Sequence, residues 1–219
     1  MGFPCQFGNG MAAMRQQLKV IGFALISLAG DATAVTMAQG ENPYGEPPPG
    51  YLRQFVEQGA KAFVLERFDA EGNLVARSVE KLNESVEIDG PVERSIAGQR
   101  ISLRGLTACP TENVVYNRVQ TWRCTDAARD YAETVYNRRA KVILCKTLVL
   151  TPAENEAIPA SCFVLVGGDG EPFKTVNDDD SMVFLGLASI GRTQDGRSRR
   201  PDLEASQSLS RSMGFQNAD

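Results

Sequence analysis

The chain contains no histidine, which limits the chemistry that its side chains can perform. Histidine is the usual general base near neutral pH, the partner of serine or cysteine nucleophiles and a common metal ligand. Any reaction centre in this sequence would therefore be built from carboxylates, arginines or thiols.

The cysteines comprise Cys5 near the N-terminus and four further along, at Cys109, Cys124, Cys145 and Cys162. No two of them have the Cys-x-x-Cys spacing, which disfavours a zinc site or a redox motif. An even set favours disulfides in an oxidising compartment, although four cysteines allow three pairings. Proximity along the chain favours Cys109–Cys124 and Cys145–Cys162, and each bridge would stabilise the fold by ~3 kcal/mol.

Three other clusters have a chemical and a structural interpretation. The run Asp178–Asp180 suggests calcium, but acids in the first turn of a helix interact favourably with its dipole, and we prefer that interpretation. Trp122, beside Tyr116 and Arg123, could stack on single-stranded nucleic acid, but a cap on the core is the simpler interpretation. A basic stretch is interpreted as a solvated loop between helices, and it contains Arg192, Arg197, Arg199 and Arg200.

The hydrophobic pattern predicts β-strands in the part of the chain that precedes Cys109. Two β-rich runs, 62–67 and 74–79, flank the turn-forming segment 69–73 and predict a hairpin. Apolar Ile101 and Leu103 alternate with polar neighbours, which predicts a half-buried strand over 100–106.

The second half of the chain predicts a helix, two strands and two further helices. Thr125 is a suitable N-cap for a helix that continues to Arg138. The β-branched and apolar run 141–150 predicts a core strand. The pattern further predicts a strand over 160–166, a glycine-rich turn over 167–170, and helices over 179–187 and 202–213.

The N-terminus has the pattern of a secretory signal. Arg15 and Lys19 precede an apolar run from Val20 to Gly30, and small residues follow. This run is shorter than the ~20 residues that span a bilayer as a helix. We expect cleavage after Ala34 or Ala38, so residues 1–38 form the signal peptide, whose true start is Met11 or Met14.

Length and composition indicate a single folded domain after this signal. A chain of 219 residues with 42% apolar content can bury one proper core. Residues 39–50 are rich in proline and glycine and predict an extended leader, so the domain is expected over 51–219. The formal charge of −4 argues against strong binding to nucleic acid through its phosphates.

The segment Asp89–Pro110 resembles two consecutive segments of the staphylococcal nuclease family. In that family these are a strand with the sequence Asp-Gly-Asp-Thr and the segment Val-Arg-Leu-x-Gly-Ile-Asp-Ala-Pro-Glu that follows it. The resemblance covers about residues 85–215 and implies an α+β fold. This fold is a five-stranded OB-type β-barrel with about three helices, here with an N-terminal β-hairpin extension. Further segments resemble later parts of that family in the same order, namely 126–145, 160–166, 182–188 and 204–215.

Chemistry in that family is calcium-assisted hydrolysis of phosphodiesters. Two aspartates hold the ion, two arginines neutralise the phosphoryl charge and a glutamate activates water. The resemblance implies that all five positions have changed, because they are occupied by Pro91 and Thr107, by Ser102 and Ala157, and by Pro110, respectively. The catalytic charges are therefore expected to be lost.

A shifted alignment could restore one or two of these charges, but it restores neither the pair of metal ligands nor the second arginine. No lysine or arginine occurs between Thr147 and Phe173, where the second arginine is expected. From Gly90 to Thr111 the only acid is Glu93. The expected loss of catalysis is therefore independent of the exact register.

Four residues remain as candidates in the cleft that the resemblance implies: Asp89, Arg104, Thr107 and Glu112. Arg104 and Glu112 each lie two residues beyond an expected catalytic position. A two-residue step in a strand keeps a side chain on the same face, so Arg104 could replace the lost arginine. No metal or cofactor ligands are assigned.

The sequence thus favours an exported, non-catalytic OB module that binds a partner through its barrel face or loops. OB folds bind oligonucleotides and oligosaccharides, so the expected partner is one of these or a protein of the cell envelope. The alternative is a divergent secreted calcium-dependent nuclease that uses Arg104, Glu112 and acids outside the matched segment. Only this alternative requires calcium.

Overall fold

A computed structural model of the chain describes residues 43–116, 120–149, 156–168 and 170–215. The expected signal segment lies outside the described residues. The described residues form an α+β fold of a mixed multistranded sheet, smaller strand pairs and three α-helices. The first strands are β1 (Lys61–Phe68), β2 (Leu74–Leu82), β3 (Glu87–Gly90), β4 (Glu93–Ile96), β5 (Gln99–Leu103), β6 (Leu106–Ala108), β7 (Asn113–Tyr116) and β8 (Gln120–Arg123). They are followed by α1 (Cys124–Ala132), β9 (Ala140–Leu148), β10 (Ile158–Gly168), β11 (Glu171–Asn177), α2 (Asp178–Phe184), β12 (Ala188–Ile190) and α3 (Glu204–Ser212).

Strands β1 and β2 confirm the predicted N-terminal hairpin. They pair antiparallel from Lys61–Leu82 to Phe68–Leu74. The turn between them is closed by Asp69, whose carboxylate accepts hydrogen bonds from the backbone and side chain of Asn73. Such local bonds from an aspartate are typical of turns, which explains why the turn could be recognised in the sequence.

The main sheet runs in the order β2-β1-β9-β10-β5-β4-β3, and β11 extends it by pairing with β10. Two of its pairings are parallel, between β1 and β9 and between β10 and β5, and the others are antiparallel. The expected closed five-stranded barrel is absent from the described residues. The N-terminal hairpin occupies the free edge of β9, so the path of strands stays open between β2 and β3.

Both faces of the central strands are buried. Along β9, Ile143 and Cys145 belong to the larger core on the helix side, whereas Val142 and Leu144 pack on the opposite side. That opposite side is covered by a short 3-10 helix, Tyr51–Phe55. Since alternate residues of a strand face opposite sides, burial of both faces explains the nearly continuous apolar run in the sequence.

The helices agree with the sequence pattern except at their ends. Helix α1 continues as a π-helix over Glu133–Arg139, and a 3-10 turn, Pro201–Leu203, precedes α3. None of the helices in the described part of the chain is long and apolar enough to cross a membrane.

The strand predicted over residues 100–106 is divided by a turn at Arg104 and Gly105. Gly105 has a positive φ of 66°, and a Cβ there would lie 3.1 Å from Cγ of Arg200. Its carbonyl oxygen accepts a hydrogen bond of 2.8 Å from the backbone of Gly191. The chain therefore turns at Gly105 because the loop before α3 packs against it, and β6 then pairs with β12.

Candidate functional site

Arg104 lies in the turn that follows β5, where the backbone continues toward β6. Its backbone nitrogen donates to the carbonyl oxygen of Ala160, which fixes the end of β5 against β10. Its guanidinium lies 3.8 Å from the centre of the Tyr44 ring, and its Nε is buried without a hydrogen-bond partner. Burial, and then the positive charge of Arg200, lower the pKa of Arg104. The structure thus places this predicted cleft residue beneath an aromatic ring of the leader.

Residues 43–50, the described part of the predicted leader, form a strap against the sheet, and we call them the N-terminal strap. Pro47 of the strap is buried. The carbonyl oxygen of Gly45 accepts a hydrogen bond of 2.8 Å from Nζ of Lys146, whose residue is 3% exposed. Ordered structure therefore begins before Tyr51, the residue at which the sequence suggested that it starts.

A cleft of about 730 Å³ lies between the N-terminal strap and the sheet. Its walls include Lys146, Leu165 and Phe173 of the sheet and Glu46 of the strap. The ammonium group of Lys146 also lies 5.3 Å from the Phe68 ring centre, and the guanidinium of Arg53 lies 5.6 Å from that of Phe173. The cleft therefore combines aromatic surface with positive charge.

The other three cleft candidates have separate partners. Asp89 on β3 accepts a hydrogen bond of 2.7 Å from the hydroxyl of Ser95. Thr107 on β6 lies 2.8 Å from the hydroxyl of Ser189 on β12. Glu112 is exposed, and only its backbone oxygen has an observed role, as acceptor for the start of α1. Within the described residues no hydrogen bond or ion pair joins any two of the four candidates.

The positions that the resemblance assigned to lost catalytic groups hold uncharged residues, and some of them are neighbours in the sheet, since Ser102 pairs with Pro159, two residues after Ala157. Ser102 lies on β5 opposite Glu93 of β4, and Ala157 precedes β10. Pro110 is exposed in the loop after β6, and the carbonyl oxygen of Pro91 accepts a hydrogen bond from Arg94. No group of three or more acids, cysteines or histidines suited to a metal ion occurs among the residues that the structure describes.

The run Asp178–Asp180 opens helix α2, as the preferred interpretation predicted. Two of its carboxylates have a role that sequence reasoning missed, because Asp178 and Asp179 are fully buried. Asp178 accepts a hydrogen bond of 2.7 Å from the Tyr136 hydroxyl and lies 3.7 Å from Nη2 of Arg94. Burial raises the pKa of Asp178, and the charge of Arg94 and the bond from Tyr136 offset only part of this effect.

Asp179 is held by Arg200, which is 2% exposed. Nη1 of Arg200 lies 2.5 Å from Oδ2 of Asp179 and 3.1 Å from the carbonyl oxygen of Arg104, and Nη2 pairs with Asp202. The interpretation of the basic stretch as solvated is therefore wrong for Arg200, although Arg192, Arg197 and Arg199 are exposed. Its burial could not be predicted, because nothing in the sequence distinguishes it from these three neighbours.

Trp122 is partly buried against the helix-side core, and its indole nitrogen donates to Gln120 at 3.1 Å. This position agrees with the preferred interpretation of a cap on the core. The side chain of Tyr116, its expected neighbour in a stacking platform, lies outside the described part of the chain.

Both disulfide pairings favoured by the sequence are present. Cys109–Cys124 joins the loop after β6 to the first residue of α1, with 5.5 Å between the Cα atoms. Cys145–Cys162 joins residues that face each other across β9 and β10, with 4.2 Å between the Cα atoms. One bridge therefore fixes the start of α1, and the other links the central strands β9 and β10.

No protein-family model matches this chain, and no curated protein shows significant similarity to it.

Proposed function

We propose that this protein is an exported, non-catalytic binding module related to the staphylococcal nuclease OB fold. The order of elements along the chain supports the relationship. The segments 126–145, 160–166 and 182–188 lie respectively on α1 and β9, on β10, and on α2 with the start of β12. On this proposal, β3–β5, β9 and β10 are the five barrel strands, and the N-terminal hairpin has replaced the contact that closes the barrel.

Two observations carry the non-catalytic proposal: the assigned catalytic positions hold uncharged residues, and no hydrogen bond or ion pair joins the four cleft candidates among the described residues. Phosphodiester hydrolysis requires fixed cations around the phosphoryl group and an acid that activates water, all converging on one point. Asp89, Thr107 and Glu112 have separate surroundings, and Arg104 is stacked on Tyr44. Removing one oxyanion-stabilising donor already costs ~10²–10³ in rate, so an arrangement that lacks several should not turn over.

Export is supported by the disulfides and by the pattern of the N-terminal sequence. Two disulfides are expected to persist in an oxidising compartment, which is outside the cell or in the periplasm. The partner in this proposal is an oligosaccharide, an oligonucleotide or a protein of the cell envelope. The net negative charge makes an oligonucleotide the least favoured of these.

The test is a hydrolysis assay on the purified protein with both disulfides formed. Release of nucleotides from DNA and from RNA is measured in calcium and in EDTA, and we expect no calcium-dependent rate above a buffer blank. Arg104→Ala and Glu112→Ala are assayed in parallel, because contaminating nuclease would be unaffected by either change. Calcium-dependent activity that disappears in one of these variants would falsify the non-catalytic proposal.

A further inference from the structure

The N-terminal strap covers two cations, Arg104 in the turn after β5 and Lys146 on β9, and these two strands lie on either side of β10. The Tyr44 ring stacks on Arg104, and the Gly45 carbonyl oxygen accepts a hydrogen bond from Lys146. The backbone nitrogen of Arg104 donates to the carbonyl oxygen of Ala160 on β10. The next residue of β10, Ser161, pairs with Lys146 on β9. Consecutive residues of the strap therefore contact two positive charges at the same end of the sheet.

Arg104 has incomplete hydrogen bonding in this arrangement. Its buried Nε has no acceptor, and no ion pair joins it to a carboxylate within the described ranges. Its neighbour Arg200 is, in contrast, paired with Asp179 and Asp202. A buried donor without an acceptor costs free energy, which an oxygen atom of a ligand would recover.

The strap also leaves room for a ligand. The cleft of about 730 Å³ beneath it is within the usual size range of small-molecule sites. Lys146 and Glu46 of the strap line this cleft, whereas Arg104 lies outside its lining, so the strap brings a carboxylate near Lys146.

We propose that Arg104 and Lys146 form a binding site for an oxyanion group of phosphate or carboxylate type, and that the N-terminal strap covers this site until a ligand displaces it. This inference rests on the proposed binding function and names the ligand chemistry of that function. A guanidinium binds two oxygens of such a group in a fixed fork, and an ammonium adds a point charge. Tyr44 and Gly45 would lose their contacts with these cations, so strap and ligand compete.

Isothermal titration of the full chain with pyrophosphate, and separately with malonate, tests this competition. The buffer contains EDTA and chloride at matched ionic strength. Arg104→Gln should weaken binding by about tenfold or more, because it removes a charged donor. Tyr44→Ala should tighten binding by about two- to tenfold, because it removes the stacking that holds the strap. The matched control is Arg100→Gln, an exposed arginine of β5 near Glu93, which should leave binding unchanged.

Binding of either anion with these effects supports the site, and the preferred anion distinguishes a phosphate-bearing ligand from a carboxylate-bearing one. The NMR signal of the Arg104 Nε–H group should shift when the anion is added. The proposal is overturned if neither anion binds, if Arg104→Gln binds normally, or if Tyr44→Ala binds no more tightly than the unaltered chain. Because EDTA removes calcium, a failure here is separate from a positive hydrolysis assay, which would overturn the non-catalytic function instead.

Discussion

Asp178 and Asp179 are neighbours in the sequence, but their carboxylates contact different parts of the fold. Asp178 faces Arg94 of β4, whereas Asp179 pairs with Arg200 in the loop before α3. A buried ion pair gains little net free energy, because both groups lose their hydration. Removing one partner is nevertheless costly, since the other charge stays buried alone.

Replacing Arg200 with methionine should therefore destabilise the protein strongly. The change leaves the buried carboxylate of Asp179 without its cation, and we expect a loss of about 3–5 kcal/mol in the free energy of unfolding. Equilibrium denaturation in guanidinium chloride measures this loss. Arg197→Met is the matched control in the same loop, because Arg197 is 83% exposed and should contribute nothing measurable. Equal stability of the two variants would show that the pair with Asp179 is not formed.

The raised pKa of Asp178 predicts a pH effect of definite sign. Burial makes the folded state hold the Asp178 proton more tightly than the unfolded state does. The resulting stabilisation is complete below the ordinary value of 3.8 and is lost as pH rises through the higher folded-state pKa. Asp178→Asn removes this titration, so the unfolding free energy of the unaltered protein minus that of the variant should decrease with rising pH.

Asp69 provides a control of opposite sign for this measurement. Hydrogen bonds from the side chain and backbone of Asn73 lower the pKa of Asp69 in the folded state. Its stabilising contribution is therefore present above 3.8 and is lost as pH falls. Denaturation curves of Asp69→Asn across the same pH series should show a difference that increases with pH. A difference for Asp178→Asn that also increased with pH would contradict the buried position of that carboxylate.

At the scale of elements, one disulfide ties the loop after β6 to the start of α1, and the other joins two strands that are already paired. Replacing both cysteines of either bridge with alanine should cost ~3 kcal/mol, because the bridges close loops with sequence separations of 15 and 17. Denaturation of each double variant measures the loss, and added reductant should not destabilise a variant that lacks all four cysteines. Peptide mapping without reduction provides a direct check, and a peptide that links Cys109 to Cys145 would contradict both bridges.

The elements that could be predicted from the sequence are those with a clear period or a clear turn. The first hairpin, α1, β9 and β10 were recognised because each has several residues of consistent pattern. Strands β3, β4, β6, β7, β8 and β12 are not predicted, since three or four residues are too few to show an alternation. Strand β11 is not predicted either, because its seven residues do not alternate between apolar and polar. The division between β5 and β6 was missed because it depends on Gly105 packing against Arg200, which is remote in sequence.

At the scale of the whole molecule, the sequence predicted the fold class but not the open path of the sheet. The three helices follow from the patterns and the α+β class from the resemblance, whereas the parallel pairing of β1 with β9 has no local signal. The candidate site could likewise be predicted only in part. Arg104 could be selected from the sequence, but its cover by Tyr44 could not, because proline- and glycine-rich segments carry no pattern that shows where they dock.

The parallel pairing of β1 with β9 also has a consequence for the order of folding. The β1–β2 hairpin consists of local contacts and can form within microseconds, but its partner is distant, since Ala62 pairs with Val142. Contacts between residues this far apart require closure of a long loop and slow the folding of a domain. During synthesis the N-terminus emerges first, so the hairpin forms early with one edge of β1 unpaired. That edge stays exposed until β9 has been synthesised and pairs with it.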